Sequence, residues 1–192
     1  MPTPNPAALE FLLSRRSRPA KTLTLPVPTR AQLEPILTAA ARTPDHGKLE
    51  PWRFIVLEKA ALDRLAGVVT RLGETLGYAP DKVEKNTKQF SDGNLAVVVV
   101  AAPVDNEKVP HIEQIYSAGA VCLSLLNAAL ASGWGANWLS GWISHDRTFC
   151  EAELGLAAHE QIAGIIHIGT ETSAPPERPR PDVDAITDWV SA

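Results

Sequence analysis

The sequence contains few of the residues that build metal centres and disulfide scaffolds. It has two cysteines in 192 residues, Cys122 and Cys150, and they lie far apart rather than in a C-x-x-C pair. This spacing argues against a zinc site or a disulfide framework and is typical of a protein from the reducing cytosol. The histidines lack ligand spacing as well, so we expect no bound metal.

Positive charge is not in excess either. The chain carries 18 Lys+Arg against 22 Asp+Glu, a formal net charge of -4. Broad nucleic-acid binding needs a basic face that displaces counterions along many phosphates, so nucleic acid is not an expected partner. The first residues, "MPTPNPAALE", lack the basic and apolar regions of a signal peptide, and we expect a cytoplasmic location.

No charged residue or histidine occurs between Gln114 and Ser144. The helical part of this segment, "IYSAGAVCLSLLNAALASG", is nearly long enough to cross a bilayer. Ser117, Ser124 and Asn127 interrupt it and no basic stop sequence flanks it, so we predict a buried helix rather than a membrane span. Because a small domain rarely buries a whole helix, one face of it is expected to pack on a second subunit.

The remaining patterns predict one α+β domain over residues 1–192. Apolar spacing predicts helices near 6–14, 26–42, 59–77 and 144–155, with Thr29 and Gln32 spaced as a capping box. Pro35 favours a later start for the second helix, near Glu34, and a serine is expected to cap the fourth. "DKVEKNTKQFSDG" is either a polar connection or a short solvated helix. Buried strands are predicted at "WRFIVLE", "NLAVVVVAAP" and "QIAGIIHIGT".

The common catalytic motifs are missing from the sequence. It contains no G-x-S-x-G, no H-E-x-x-H, no P-loop and no G-x-G-x-x-G after a strand. Without such acid–base machinery, the protein is either not an enzyme or depends on a cofactor that carries the chemistry. We therefore assign no catalytic residue.

One short segment concentrates positive charge. Arg15, Arg16, Arg18 and Lys21 surround Ser17 at the end of the first predicted helix. Guanidinium groups and a hydroxyl at a helix end suit a phosphate monoester. The alternative is a solvated basic turn that is favourable to the helix dipole.

Three further segments could contact a flat ligand. The stiff loop "ARTPDHGKLEPWRF" offers Arg42 and His46, "GANWLSGW" lets the backbone approach a ring beside Trp138, and the extended arm "PPERPRPD" holds Arg178 and Arg180. Each segment also has a purely structural interpretation. These are a closed turn, a core tryptophan and a disordered linker, respectively.

The order of these segments resembles the nitroreductase family of FMN-dependent oxidoreductases, particularly its short YdjA-type branch. The shared features are R-R-S after the first helix, the loop "PDHGKLEPWRF", an apolar helix with A-G-A before "GWGANW", and a G-T-ending strand before a proline-rich arm. The resemblance covers nearly the whole chain. It implies a central, mostly antiparallel sheet surrounded by helices in an intertwined homodimer, with the arm at 171–192 packing on the partner subunit.

The resemblance also implies how FMN would be held. Arg15, Arg16 and Ser17 would hold the phosphate and ribityl end, whereas Arg42 and His46 would reach the flavin across the subunit interface. The isoalloxazine would lie along Trp138, Leu139 and Ser140, and the strip "AALASG" matches a region linked to nicotinamide nucleotide binding. NAD(P)H would be the co-substrate, and a nitroaromatic or quinone would accept the electrons in a ping-pong exchange.

Some positions depart from the commoner family pattern. Pro19 stands where a basic residue usually lies near flavin N1, which leaves Arg18 and Lys21 as alternatives. Lys48 and Glu50 stand where Asn and Gln are usual. The arm offers two alternatives for a phosphate contact, Arg178 and Arg180. Besides the oxidoreductase, a non-catalytic flavin- or nucleotide-binding homodimer, a structural protein and another flavin reaction on the same fold remain alternatives.

Overall fold

The computed structural model describes residues 3–191. This part of the chain forms six α-helices and five β-strands. The helices are α1 (Pro6–Ser14), α2 (Arg30–Ala40), α3 (Lys59–Thr75), α4 (Pro80–Ser91), α5 (His111–Ala131) and α6 (Arg147–Leu154). The strands are β1 (Leu23–Thr24), β2 (Trp52–Glu58), β3 (Leu95–Ala101), β4 (Gly135–Leu139) and β5 (Gln161–Glu171).

All the strands belong to one sheet. Its order is β1-β5-β3-β2, and β4 pairs with β5 off this path. Every pair is antiparallel, which confirms the predicted α+β fold with a mostly antiparallel central sheet. β3 lies in the middle and all seven of its residues are buried, as its run of valines predicts.

Helices cover both faces of the sheet. Along β3 the side chains alternate, so that Val98 and Val100 pack towards α3, α4 and α6, whereas Val97 and Val99 pack towards α2 and α5. The leucines of α3 at helical spacing fill the first of these two cores. The sheet is therefore the middle of three layers, with helices on either side.

α5 is the predicted uncharged helix. Within residues 3–191, it is the helix whose length and composition would suit a membrane span. One face packs on α2 and on β3, β4 and β5 and buries Val121, Leu125 and Ala129. The opposite face exposes Ile112 and Tyr116. The helix therefore belongs to the core on one side and presents an apolar surface on the other.

Two helix starts differ from the prediction. α2 begins at Arg30 and continues through Pro35, because the Thr29–Gln32 capping box satisfies its first turn and Ile36 is buried. α6 is capped by Asp146, whose carboxylate accepts a hydrogen bond from Phe149 N at 2.8 Å, rather than by a serine.

The remaining differences concern burial. The strand predicted at "WRFIVLE" is present as β2, but it is only partly buried because it lies at the edge of the sheet. The polar segment after α3 is a helix of 12 residues, α4, which buries Val83, Asn86 and Phe90. Its inner face is therefore part of the core.

Candidate functional site

The basic turn, residues 15–21, follows α1 and contains two partly buried arginines, Arg15 and Arg18, whose Nε atoms are buried without a hydrogen bond to the described residues. Nη2 of Arg15 donates to Ser17 Oγ at 3.2 Å, whereas its Nε is buried with no hydrogen-bond partner among the described residues. Burial lowers the pKa of Arg15, and the neighbouring charges of Arg180, Arg16 and Arg18 lower it further. A buried donor among repelling cations is a place where an anion would be stabilised.

Arg18 has a different role in the basic turn. Its Nε lies 2.8 Å from Glu171 Oε2 in an ion pair, its backbone N donates to Ala136 O at 2.8 Å, and its carbonyl accepts from Asn137 Nδ2 at 2.6 Å. These contacts attach the basic turn to β4 and β5. The charge of Arg18 is thus largely balanced within the protein.

A cavity of about 330 Å³ lies against the first half of the basic turn. It is lined by Phe11, Ser14, Arg15, Arg16, Arg18, Leu130, Gly133, Trp134 and Glu171. Leu130 and Gly133 come from the "AALASG" strip at the end of α5. The structure thus brings this strip next to the predicted phosphate-binding cations.

A second cavity, of about 360 Å³, lies at the other end of the basic turn. Its lining includes Lys21 from the turn, Lys85 and Lys88 from α4, and Leu139 from β4. Gln89, which also lines it, has a buried Oε1 with no partner in the described part of the chain. Sequence reasoning missed the α4 residues because lysines and a glutamine on a polar helix resemble an ordinary solvated face.

The end of β4 carries the three residues predicted to lie along the flavin ring, Trp138, Leu139 and Ser140. They differ in how much of each is exposed to solvent. Trp138 is 39% exposed, so it is not the core tryptophan of the alternative interpretation. Leu139 is partly buried in the wall of the second cavity, and Ser140 is exposed. At Gly141, a Cβ would lie 2.1 Å from Asn86 Oδ1, so this glycine allows α4 to approach the end of β4 closely.

Arg42 and His46 lie elsewhere on the chain. His46 Nδ1 is 2.7 Å from Glu113 Oε2 at the start of α5, and Arg42 is exposed at the end of α2. Leu130, beside the basic turn, lies at the far end of α5. Because α5 has 21 residues and rises about 1.5 Å per residue, its ends are about 30 Å apart. Within one chain, therefore, His46 does not join the basic turn. Arg42 lies nearer, because the next residue, Thr43, donates a hydrogen bond to Ser124 Oγ at 2.9 Å in the second half of α5.

The C-terminal arm returns to the basic turn of its own chain. Nη1 of Arg16 donates to Pro176 O at 2.6 Å and lies 3.4 Å from Glu177 Oε2. Glu177 Oε1 lies 3.1 Å from Arg180 Nη2. Since Arg180 is also the first neighbouring charge that lowers the pKa of Arg15, the geometry favours Arg180 over Arg178 as the arm's cation at this turn.

The described residues offer no other obvious chemistry. Within 3–191, no group of three or more His, Cys, Asp or Glu side chains could hold a metal ion. Burial raises the pKa of Cys122 to about 12 and also raises the pKa of Cys150, so neither thiol is disposed to act as a nucleophile. Ligand binding at the two cavities is therefore the chemistry that the arrangement favours.

These features define a class of protein, an α+β domain with a basic turn and a lysine-lined cavity at one strand end. The family model described as Nitroreductase family matches residues 12–170, and this chain belongs to that family. A relative from Escherichia coli (strain K12), provisionally named NAD(P)H nitroreductase YdjA, is 36% identical over 163 residues, which are 85% of this chain and 87% of the relative.

Solved structures share the fold. The nitroreductase-like family protein from Bacillus cereus superposes with a TM-score of 0.79 at 22% identity, covering 100% of both chains. The FMN and NADPH-dependent nitroreductase NfnB from Sphigopyxis sp. strain HMH superposes with a TM-score of 0.72 at 20% identity, covering 96% of this chain and 99% of the other. The predicted nitroreductase-like fold is thus confirmed.

Proposed function

We propose that the protein is an FMN-dependent NAD(P)H oxidoreductase of the nitroreductase type. The observation that carries the proposal is the buried Nε of Arg15, which lacks an acceptor in the described chain at a turn with Arg16 and Ser17. A phosphate dianion would supply the acceptor and offset the mutual repulsion of the cations. Family membership and the FMN and NADPH dependence stated for NfnB support this assignment.

The two cavities would receive the two ends of FMN. Arg15, Arg16 and Ser17 would hold the phosphate and ribityl end, with Arg180 from the arm beside them. The isoalloxazine would lie along Trp138, Leu139 and Ser140, with its pyrimidine end in the lysine-lined cavity.

Because Pro19 replaces the basic residue usual in the family, either Arg18 or Lys21 would be the cation near flavin N1. Lys21 is the better candidate. It lines the same cavity as Leu139, whereas Arg18 is paired with Glu171. Lys85 and Lys88 line that cavity too, although Lys88 is also paired with Glu84. This positive charge would stabilise negative charge on the ring.

When bound, FMN would supply hydride transfer from NAD(P)H to a small electron-poor acceptor, such as a nitroaromatic or a quinone. The protein's residues bind and orient the ring, with Leu139 as an apolar wall and Trp138 as a partly exposed aromatic surface. No acid–base side chain is needed for these tasks. Because donor and acceptor would use one site in turn, we expect ping-pong kinetics.

The site would be completed by a second copy of the chain. His46 lies about one helix length from the basic turn of its own chain, which supports its acting on the partner's flavin. Arg42, from the same loop, would act with it. Exposed apolar residues on α5 and α1 would form the interface, namely Ile112, Tyr116, Leu123, Leu9, Leu12 and Leu13. Trp189, which is 89% exposed, would let the arm pack on the partner subunit. We place this homodimer in the cytoplasm.

The first test is the visible absorption spectrum of the freshly purified protein, repeated after anaerobic addition of NADH or NADPH. We expect a flavin spectrum that bleaches with a reduced nicotinamide and recovers on addition of a nitroaromatic or a quinone. A flavin that binds without bleaching would favour the non-catalytic flavin-binding homodimer. A colourless protein that takes up no added FMN would overturn the proposal.

The double variant Arg15→Ala, Ser17→Ala tests whether the basic turn holds the flavin that gives this spectrum. A charged hydrogen bond is worth about 1.5–3 kcal/mol, so the variant should lose FMN while remaining a folded dimer. Unchanged flavin content would show that the phosphate is held elsewhere.

A further inference from the structure

Glu177 lies between two arginines from distant parts of the chain. Its Oε2 is 3.4 Å from Arg16 Nη1 and its Oε1 is 3.1 Å from Arg180 Nη2, so the carboxylate bridges the basic turn and the arm. The preceding residue adds a second connection, since Pro176 O accepts a hydrogen bond from Arg16 at 2.6 Å.

The bridge offsets an electrostatic cost. Arg180 is near enough to Arg15 to lower the pKa of Arg15, as Arg16 also does. Guanidinium groups held this close repel one another unless an anion lies between them. Glu171, the other carboxylate at the turn, is paired with Arg18, so Glu177 is the group that balances Arg16 and Arg180.

The carboxylate does not take the place of the phosphate. Glu177 contacts Arg16 and Arg180, whereas Arg15 Nε keeps no hydrogen-bond partner among residues 3–191. The buried donor that suits a phosphate therefore remains open while Glu177 is bound to the other two arginines. Competition between Glu177 and a ligand for Arg15 does not fit this arrangement.

The arm is suited to such a bridge because it is stiff. Prolines at 175, 176, 179 and 181 flank Glu177, Arg178 and Arg180, and each proline fixes one backbone angle. Less conformational entropy is lost when a stiff segment is held in place. A single exposed ion-paired carboxylate can therefore position the arm.

We propose that Glu177 is a positioning residue for the cofactor phosphate, holding Arg180 and Arg16 beside the open donor of Arg15. This inference rests on the proposed function, because the ligand whose phosphate is held is taken to be FMN. Glu177 itself would not touch the ligand. Its contribution would appear as a preference for phosphorylated over unphosphorylated flavin.

The test compares FMN with riboflavin, which lacks the phosphate. Flavin is removed from the full-length protein, and the dissociation constant of each flavin is measured by titration for the wild type and for Glu177→Gln. We expect Glu177→Gln to raise the dissociation constant of FMN at least about threefold and to leave the dissociation constant of riboflavin unchanged. If the substitution disturbed the fold instead, the protein would bind both flavins more weakly.

Two further variants sharpen the comparison. Glu34→Gln removes a carboxylate from another exposed ion pair, with Arg30 at 3.2 Å, and should leave the ratio of the two constants unchanged. If Glu177 acts through Arg180, adding Glu177→Gln to Arg180→Gln should have a much smaller effect than it has in the wild type.

The possible failures are distinguishable. If the wild type binds FMN no more tightly than riboflavin, the phosphate site fails and the proposed function loses its main support. If the wild type prefers FMN and Glu177→Gln keeps that preference or increases it, the role assigned to Glu177 is wrong while the phosphate site stands.

Discussion

The indole of Trp138 lies across Gly164 so closely that a Cβ on residue 164 would be 2.1 Å from the indole Nε1. The two residues belong to neighbouring antiparallel strands, β4 and β5, in which Trp138 pairs with Ile166. The missing side chain at 164 lets the indole lie close to the sheet while 39% of the residue stays exposed. Gly164 thus determines the position of the proposed aromatic surface for the flavin.

We expect Gly164→Ala to displace Trp138. The added methyl must move either the indole or the backbone, and such overpacking costs about 1–3 kcal/mol of the free energy of unfolding. Flavin should also bind more weakly, by roughly tenfold, because the ring contact shifts. Urea denaturation and flavin titration measure the two effects.

The matched control is Gly67→Ala in α3. There a Cβ would meet the flexible end of Arg71 at 3.4 Å, and alanine favours the helix by about 1 kcal/mol. Stability should therefore stay the same or rise, with unchanged flavin affinity. If Gly164→Ala behaved like this control, Trp138 would have no role in binding flavin.

The elements that the sequence predicted well are those whose pattern is local. The run "NLAVVVVAAP" forms the buried strand β3, and the 6–14 helix prediction agrees with α1. Thr29 and Gln32 form the predicted capping box. In each case the residues that decide the structure lie within a few positions of one another, so periodicity and capping chemistry are sufficient.

The predictions that failed or stayed open depend on contacts between distant residues. Pro35 suggested a later helix start, but burial of Ile36 and the cap at Thr29 outweigh one lost hydrogen bond. Arg178 and Arg180 look equivalent on the arm, and the structure separates them because Arg180 pairs with Glu177, which also contacts Arg16. Nothing in the spacing of Lys85 along α4 reveals that β4 lies opposite it.

The stability of the fold should depend on pH through His167. This residue is buried on β5 and its two ring nitrogens have no partner in the described chain. Burial lowers its pKa to about 4, below the value of about 6.5 for an unfolded chain. Protons therefore bind the unfolded state more readily, and the free energy of unfolding should fall as pH drops from about 6.5 to about 4.

Urea denaturation at pH 7.5 and pH 4.5 tests this. The wild type should lose about 2–3 kcal/mol more than His167→Asn between those two values. Glu160, whose pKa a hydrogen bond from Arg53 lowers to about 2, contributes mainly below pH 4.5 and does so in both proteins. Equal losses in the two proteins would mean that His167 finds a partner, such as a water, in solution.

The charge near the flavin should be supplied by Lys21 rather than by Arg18. Lys21→Gln removes a cation from the cavity that contains Leu139, so it should lower the two-electron midpoint potential of the bound flavin. If the solvent-accessible charge of Lys21 stabilises the reduced flavin by about 1 kcal/mol, its removal should lower the potential of this two-electron couple by ~20 mV. Reductive titration against a reference dye gives the potential.

Arg18→Gln is the comparison for that experiment. It breaks the ion pair with Glu171 and should lower the free energy of unfolding more than it changes the potential. If Arg18→Gln instead produced the larger drop in potential, the assignment of Lys21 would be reversed.

The shared site makes a prediction about mixtures of two inactive variants. Arg15→Ala should weaken flavin binding through the basic turn, and Arg42→Ala should weaken it through the loop that reaches the partner subunit. In a mixed dimer of these two variants, both substitutions fall in one site and the other site is intact. Half of the sites in the purified mixed dimer should therefore be intact, which corresponds to about a quarter of all sites after random pairing.

The variants are co-expressed with different affinity tags, and the doubly tagged dimer is purified for measurement of flavin content and of NAD(P)H oxidation with a quinone. The singly tagged dimers of each variant are the controls. If Arg42 acted within its own chain, both subunits of the mixed dimer would carry a damaged site, and neither flavin binding nor activity would return. Restoration therefore depends on Arg15 and Arg42 coming from different copies of the chain.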